Sequence, residues 1–157
     1  MRVVLALALS ASALACGGPS DVGWPMHGGL HNIRYSSLSQ IDRTNVAGLR
    51  VAWTYDSQDA FPGSEMQSHP VVVDGTVYVT TPSMKVAAVD AVTGTERWTF
   101  ALAPAEAPRT RFRHRGVTVH QDRVFVTYRN FLYALDRTTG QPIATFGSGG
   151  RIDLREG

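Results

Sequence analysis

Thiols, lysine and long apolar stretches are nearly missing from this 157-residue chain. Its single cysteine, Cys16, leaves no pair for an intramolecular disulfide and no cysteine metal site, so packing must hold the fold together. The small and apolar run from Val3 to Ala15 falls well short of the ~20 residues a membrane-spanning helix needs. A formal charge of +2 gives no case for a polyanionic partner, and no nucleic acid is expected. Neither a nucleophile elbow nor a pair of carboxylates at catalytic spacing is present. His27 and His31 have the spacing of metal ligands on a helix, yet Gly28-Gly29 between them argues against a helix and no third ligand lies nearby. The glycine-rich stretch after Phe146 does not open a helix, so it reads as a turn rather than a phosphate cradle.

The chain does carry an export segment. The α-amino group and Arg2 give a positive start, the Val3 to Ala15 run follows, and Cys16 comes next. Residues 1–15 therefore read as a signal peptide, and Cys16 sits where a bacterial lipoprotein signal places its acylated residue. Ala13-Leu14-Ala15 also fits ordinary secretory cleavage, with Ala13 where lipobox motifs usually carry leucine. Either way the expected location is exported and periplasmic, with a membrane anchor through Cys16 in the lipoprotein case. Residues 16–23 are small and polar and suit a lipid-anchored or flexible tether.

The fold is expected over residues 24–157. Leu38, Ile41, Val46 and Leu49 recur near helical spacing behind Ser39 as an N-cap, which predicts a short helix or turn limited by Gly48. Leu49, Val51, Trp53 and Tyr55 then alternate with Arg50, Ala52 and Thr54, the period of a half-buried strand. A repeat follows. Val77-Tyr78-Val79 leads to Ala88-Val89-Asp90-Ala91-Val92-Thr93-Gly94, and Val124-Phe125-Val126 leads to Ala134-Leu135-Asp136-Arg137-Thr138-Thr139-Gly140. The Ala-x-Asp-x-x-Thr-Gly parts lie 46 residues apart, and Phe100 and Phe146 match at the same interval. Asp74-Gly75 predicts a two-residue type I′ hairpin turn, because Gly accepts positive φ without steric cost. A period of ~40–50 residues built from four short antiparallel strands is that of a propeller blade. The fold class is all-β: about two four-stranded blades of a partial β-propeller, with blade faces left exposed and prone to aggregation.

These residues resemble the pyrroloquinoline-quinone (PQQ) dehydrogenases. Val73 to Phe100 and Val119 to Phe146 are similar to that family's repeat. So is the lead-in: Trp24, Gly28-Gly29, Arg34-Tyr35-Ser36-Ser37-Leu38, Gln40-Ile41, Asn45-Val46, Leu49 and Val51-Ala52-Trp53-Thr54-Tyr55. Gly150-Arg151-Ile152-Asp153-Leu154-Arg155 resembles the glucose-dehydrogenase branch. The resemblance implies an eight-bladed parent that oxidises an alcohol or aldose sugar by hydride transfer to PQQ. An aspartate base and calcium or magnesium would assist, and all of these lie in later blades, so this chain alone is expected to be inactive. It further implies that Arg115, in Arg115-Gly116, grips a PQQ carboxylate. Gln67 stands where relatives carry a glutamate and is the second cofactor-binding candidate, able to hydrogen-bond but not to act as an anion. His114 stands where relatives carry a cysteine. Bare repeats alone would equally suit a non-catalytic propeller lipoprotein of the outer-membrane assembly type.

Fourteen arginines stand against Lys85 alone, and four crowd into Arg109-Thr110-Arg111-Phe112-Arg113-His114-Arg115. If extended, they share one face at ~7 Å intervals, a repulsive array unless an anion or water screens it. The expectation is a solvated inter-blade loop from which Arg115 alone reaches inward, with a polyanion site as the sharper alternative.

Overall fold

The computed structural model describes residues 23–156, so the signal segment, Cys16 and nearly all of the tether lie outside the described residues. Eight short strands form two antiparallel sheets. Sheet one runs in chain order through β1 (Val71–Val73), β2 (Thr76–Thr80), β3 (Lys85–Asp90) and β4 (Glu96–Ala101). Sheet two repeats that order with β5 (Thr118–His120), β6 (Arg123–Tyr128), β7 (Phe131–Asp136) and β8 (Arg151–Asp153).

Local chemistry accounts for the turns. Asp74 and Gly75 have φ of 47° and 66°, the paired positive values that the hairpin requires. In sheet one, Asp90 Oδ1 accepts from the backbone N–H groups of Val92 (3.0 Å) and Thr93 (2.9 Å). In sheet two, Asp136 Oδ1 accepts from Thr138 (3.0 Å) and Thr139 (2.8 Å), so the same side chain closes the same turn twice.

Period-two alternation divides each strand between two faces. Tyr78, Val86 and Ala88 point from sheet one toward Val124, Val126, Tyr128, Tyr133 and Leu135 of sheet two, and this shared layer is the main core. The opposite face of sheet one, Val77, Val79, Ala87 and Val89, is covered by Trp53 and Tyr55 from the lead-in. Trp53 lies over Gly94, where a Cβ would come within 2.7 Å of the indole, and its Nε1 donates to the Ala91 carbonyl at 3.1 Å. Trp98 in β4 does the same to sheet two, lying over Gly140 with Nε1 donating to the Arg137 carbonyl at 3.0 Å. Trp53 thus plays for sheet one the part that Trp98 plays for sheet two.

Three expectations need correction. No helix forms over 38–49 beyond a 3₁₀ turn at Val46–Gly48, and Leu38, Ile41, Val46 and Leu49 are exposed. Asp42 instead accepts from the Thr44 backbone N–H (2.7 Å), while Asn45 Oδ1 accepts from that of Asp42 (2.9 Å), and such local bonds compete with a helix. Of residues 49–55 only Trp53 and Tyr55 are partly buried, Leu49 and Val51 are exposed, and no described strand pairs with them. Phe146 is not the counterpart of Phe100 in an outer strand. Phe100 lies within β4, whereas Phe146 sits in a loop that separates the Leu135–Pro142 bridge from β8, and Gly147, Gly149 and Gly150 there all have positive φ.

Candidate functional site

The approaches to β1 and β5 run side by side and meet where the backbone N–H of His69 donates to the Arg115 carbonyl at 3.0 Å. A strap from the start of the described chain crosses both. Trp24 exchanges two backbone hydrogen bonds with Val72 (2.5 and 2.8 Å), and the Pro25 carbonyl accepts from the Val119 N–H at 2.8 Å. Strap and approaches together converge His27, His69 and Arg115 on one spot.

The arginine run has no regular secondary structure, and a carboxylate from the neighbouring approach screens part of it. Glu65 Oε1 accepts from Nε of Arg111 (3.0 Å) and of Arg113 (2.7 Å), and its Oε2 lies 2.9 Å from an Arg111 terminal nitrogen. Hydrogen bonds from Arg111 and then Arg113, with a smaller share from Gln67, hold the Glu65 carboxyl at about 2. Gln67 does not line the cavity that holds Arg115. Spacing gave one usable hint, since arginines two apart on an extended segment can share one carboxylate, but nothing local named Glu65 as that partner.

Arg115 differs from Arg111 and Arg113. Like Arg109, it is exposed and among the described residues no carboxylate pairs with it. It lines a cavity of about 240 Å³ with His27, Gly116, Thr118, Phe125 and Thr127. Behind it the backbone is firmly held. Gly116 has φ of 112°, and a Cβ there would come within 2.7 Å of the His69 carbonyl oxygen. His114 Nδ1 accepts the Gly116 N–H at 3.1 Å, which leaves the proton on Nε2, facing Thr127 Oγ1 at 3.3 Å. Burial pushes the His114 pKa down, in keeping with that neutral ring.

His27 and His69 were not singled out for this site by the sequence. Their rings lie 4.0 Å apart between centroids, tilted by 49°. The His27 pKa is lowered, first by His69, then by lost hydration, then by Arg34 and Arg115. His31, by contrast, belongs to a 3₁₀ turn at Leu30–Asn32 and makes no ligand pair with His27. No group of three His, Cys, Asp or Glu that could hold a metal occurs among the described residues.

A larger cavity, about 260 Å³, opens beside Asp59, Lys85, Arg109 and Tyr128. Asp59, only 2% exposed, is already satisfied: it accepts from Thr81 Oγ1 (2.5 Å), Ser57 Oγ (2.7 Å) and the Ser83 N–H (3.3 Å). That carboxylate fastens the lead-in to sheet one and finds its partners within the protein.

Comparison with known proteins follows the same lines. Residues 24–157 match the family described as PQQ: glucose/ethanol/alcohol dehydrogenase, beta-propeller domain. The 1-butanol dehydrogenase (cytochrome c) of Thauera butanivorans is 35% identical over 146 residues, covering 87% of this chain and 20% of the relative. The crystal structure of quinohemoprotein alcohol dehydrogenase from Comamonas testosteroni superposes with a TM-score of 0.70 at 31% identity, over 87% of this chain and 20% of that one. Quinohemoprotein alcohol dehydrogenase ADHIIG from Pseudomonas putida HK5 gives 0.69 at 30% identity, over 87% and 19%. The chain thus spans about a fifth of the length of these relatives.

Proposed function

The chain belongs to the PQQ-dependent glucose/ethanol/alcohol dehydrogenase family, and we propose that its two blades supply one wall of the PQQ site of an exported dehydrogenase that oxidises an alcohol or aldose sugar. The observation that carries this reading is Arg115, a guanidinium in a cavity with no carboxylate partner among the described residues, while Arg111 and Arg113 share Glu65 as their ion-pair partner. PQQ bears three carboxylates, and an arginine–carboxylate hydrogen bond is among the stronger ones a protein can offer. The donor set fits that group. When bound, PQQ supplies an electrophilic quinone that accepts a hydride from the substrate carbon.

The work of this chain's residues is to bind and orient. Arg115 holds an acid group, and Gly116 with His114 keeps the Arg115 turn in place. A calcium or magnesium ion finds no three-ligand cluster among the described residues, so no step is assigned to it here. By the chain's resemblance to longer relatives, the base and the metal ligands are assigned to blades other than these two, and Cys16 to a lipid anchor on the periplasmic side. With PQQ and calcium supplied, this polypeptide should show no dye-linked dehydrogenase activity, and measurable turnover would contradict the assignment.

The direct test is PQQ affinity. Arg115→Gln should weaken binding by about tenfold or more, the worth of one charge-assisted hydrogen bond. Arg109→Gln, beside the Asp59 cavity, should leave it unchanged. Equal effects of the two substitutions would remove Arg115 from the site.

A further inference from the structure

We infer that His27, in tilted ring contact with His69 and sharing its cavity with Arg115, is a proton-linked wall of the cofactor cavity, taking up a proton as a carboxylate of the quinone cofactor binds. The inference rests on the reading of Arg115 as a PQQ contact and adds to it a residue and a pH dependence.

Placement comes first. His27 and Arg115 line the same cavity of about 240 Å³, one from the strap and the other from the approach to β5. His69 stands on the approach to β1, its ring 4.0 Å from that of His27 and its Nδ1 3.3 Å from the Arg115 carbonyl. That carbonyl already accepts the His69 backbone N–H, so the imidazole contact between strap and approach is anchored to the backbone that carries Arg115. The groups facing His27 come from every element packed on it: His69 before β1, Arg34 after the 3₁₀ turn, and Arg115 before β5. All are basic and none is an acid. In the free protein this crowding disfavours a proton on His27, and its pKa is lowered accordingly. A bound carboxylate reverses the balance, because it supplies the negative charge that the cluster lacks. Binding and protonation then help one another, as linkage requires.

The sign follows. Carboxylates of the cofactor stay ionised well above their usual range near pH 4, so any pH dependence between pH 5 and 8 belongs to the protein. Affinity should be highest where His27 is protonated in the complex, below its ordinary value, and should decline as pH rises through it. A shift of about one pKa unit on binding corresponds to about a tenfold change in affinity across that window.

The test uses the 157-residue chain. Its histidine ring protons are titrated by NMR with and without PQQ, and PQQ affinity is measured at pH 5.5 and 8.0 for the wild type, His27→Gln and Arg115→Gln. Benzene-1,3,5-tricarboxylate serves as an anion without the quinone. Expected are a rise in the His27 midpoint on adding PQQ, about tenfold tighter binding at pH 5.5 than at 8.0, and loss of that pH dependence in His27→Gln. A smaller rise with the tricarboxylate would mark the carboxylate as the group sensed. An unmoved His27 midpoint overturns the inference, and this readout needs no variant to fold. If binding is independent of pH yet lost in Arg115→Gln, the proton link falls while the cofactor reading stands. Absence of PQQ binding at either pH overturns both.

Discussion

Sheet one is covered along both faces and sheet two fully along only one, although they share strand order and turn chemistry. In sheet one, β3 reads Lys85-Val86-Ala87-Ala88-Val89-Asp90, with all four central residues buried, two against sheet two and two beneath Trp53 and Tyr55. In sheet two the corresponding strand β7 buries Tyr133, Ala134 and Leu135 but not Phe131 or Leu132, and β6 alternates: Val124, Val126 and Tyr128 are buried, while Phe125 and Thr127 are not. A strand covered twice carries a continuous apolar run, and one covered once carries an alternating pattern. The outer strands differ as well, β4 being continuous from Glu96 to Ala101 whereas sheet two's edge is broken between Pro142 and Arg151. Each sheet thus takes a tryptophan from the preceding element over its Thr-Gly turn, and sheet one gains its second cover from sheet two.

That rule can be broken at either tryptophan. Trp98 sits between the two sheets, near Tyr78 at 5.9 Å and over Gly140, so its removal should uncouple them. Trp98→Ala should cost about 3 kcal/mol, from lost packing plus one hydrogen bond. Trp53→Ala removes the same contacts from the outer side and should cost about 2 kcal/mol, since the layer beneath it is smaller. Urea unfolding of both variants checks the order. Equal midpoints would mean that the lead-in matters as much as the sheet–sheet interface.

Next in size is Asp59. Asp59→Ala leaves the hydroxyl of Thr81 and the N–H of Ser83 without their acceptor and should cost about 2 kcal/mol. Lys85 adds little, at 4.0 Å and partly exposed. The telling readout is local: hydrogen exchange should rise at Val79, Ala87 and Val89 but not at Val124 or Val126. Sheet one would then be covered on one face, as sheet two is.

Legibility in the sequence followed the range of the interaction. Asp90 and Asp136 close their turns through bonds to residues two and three further on, so the motif alone was enough to place the strands around them. The alternation through Trp53 and Tyr55 was also readable, but the surface they cover lies about forty residues away and no local pattern could identify it. The helical spacing from Leu38 to Leu49 misled because Asp42 and Asn45 satisfy the backbone locally, a competition that apolar periodicity does not register. At the site, the Arg115-Gly116 pair was visible. The His27–His69 contact arises only because the Trp24 strap pairs with Val72, and Glu65 meets Arg111 and Arg113 across 46 and 48 residues.

The smallest expected effect concerns that last contact, which ties the approach of sheet one to the approach of sheet two. Glu65 is held at about 2 in the folded protein by Arg111 and Arg113, below the usual carboxylate range. A carboxyl with a depressed folded pKa adds stability that is present above its unfolded value. That stability is lost as pH falls through the folded one. The contribution should therefore be complete above about pH 5, shrink as pH drops and vanish near pH 2. Glu65→Gln keeps an acceptor but removes the charge, so its melting temperature should sit slightly below that of the wild type at neutral pH. The two curves should converge on acidification, with solvent and salt screening keeping the gap small. If the gap stayed constant from pH 7 to pH 2, the two arginines would hold Glu65 by shape and hydrogen bonding alone. The two approaches would then be joined without any help from charge.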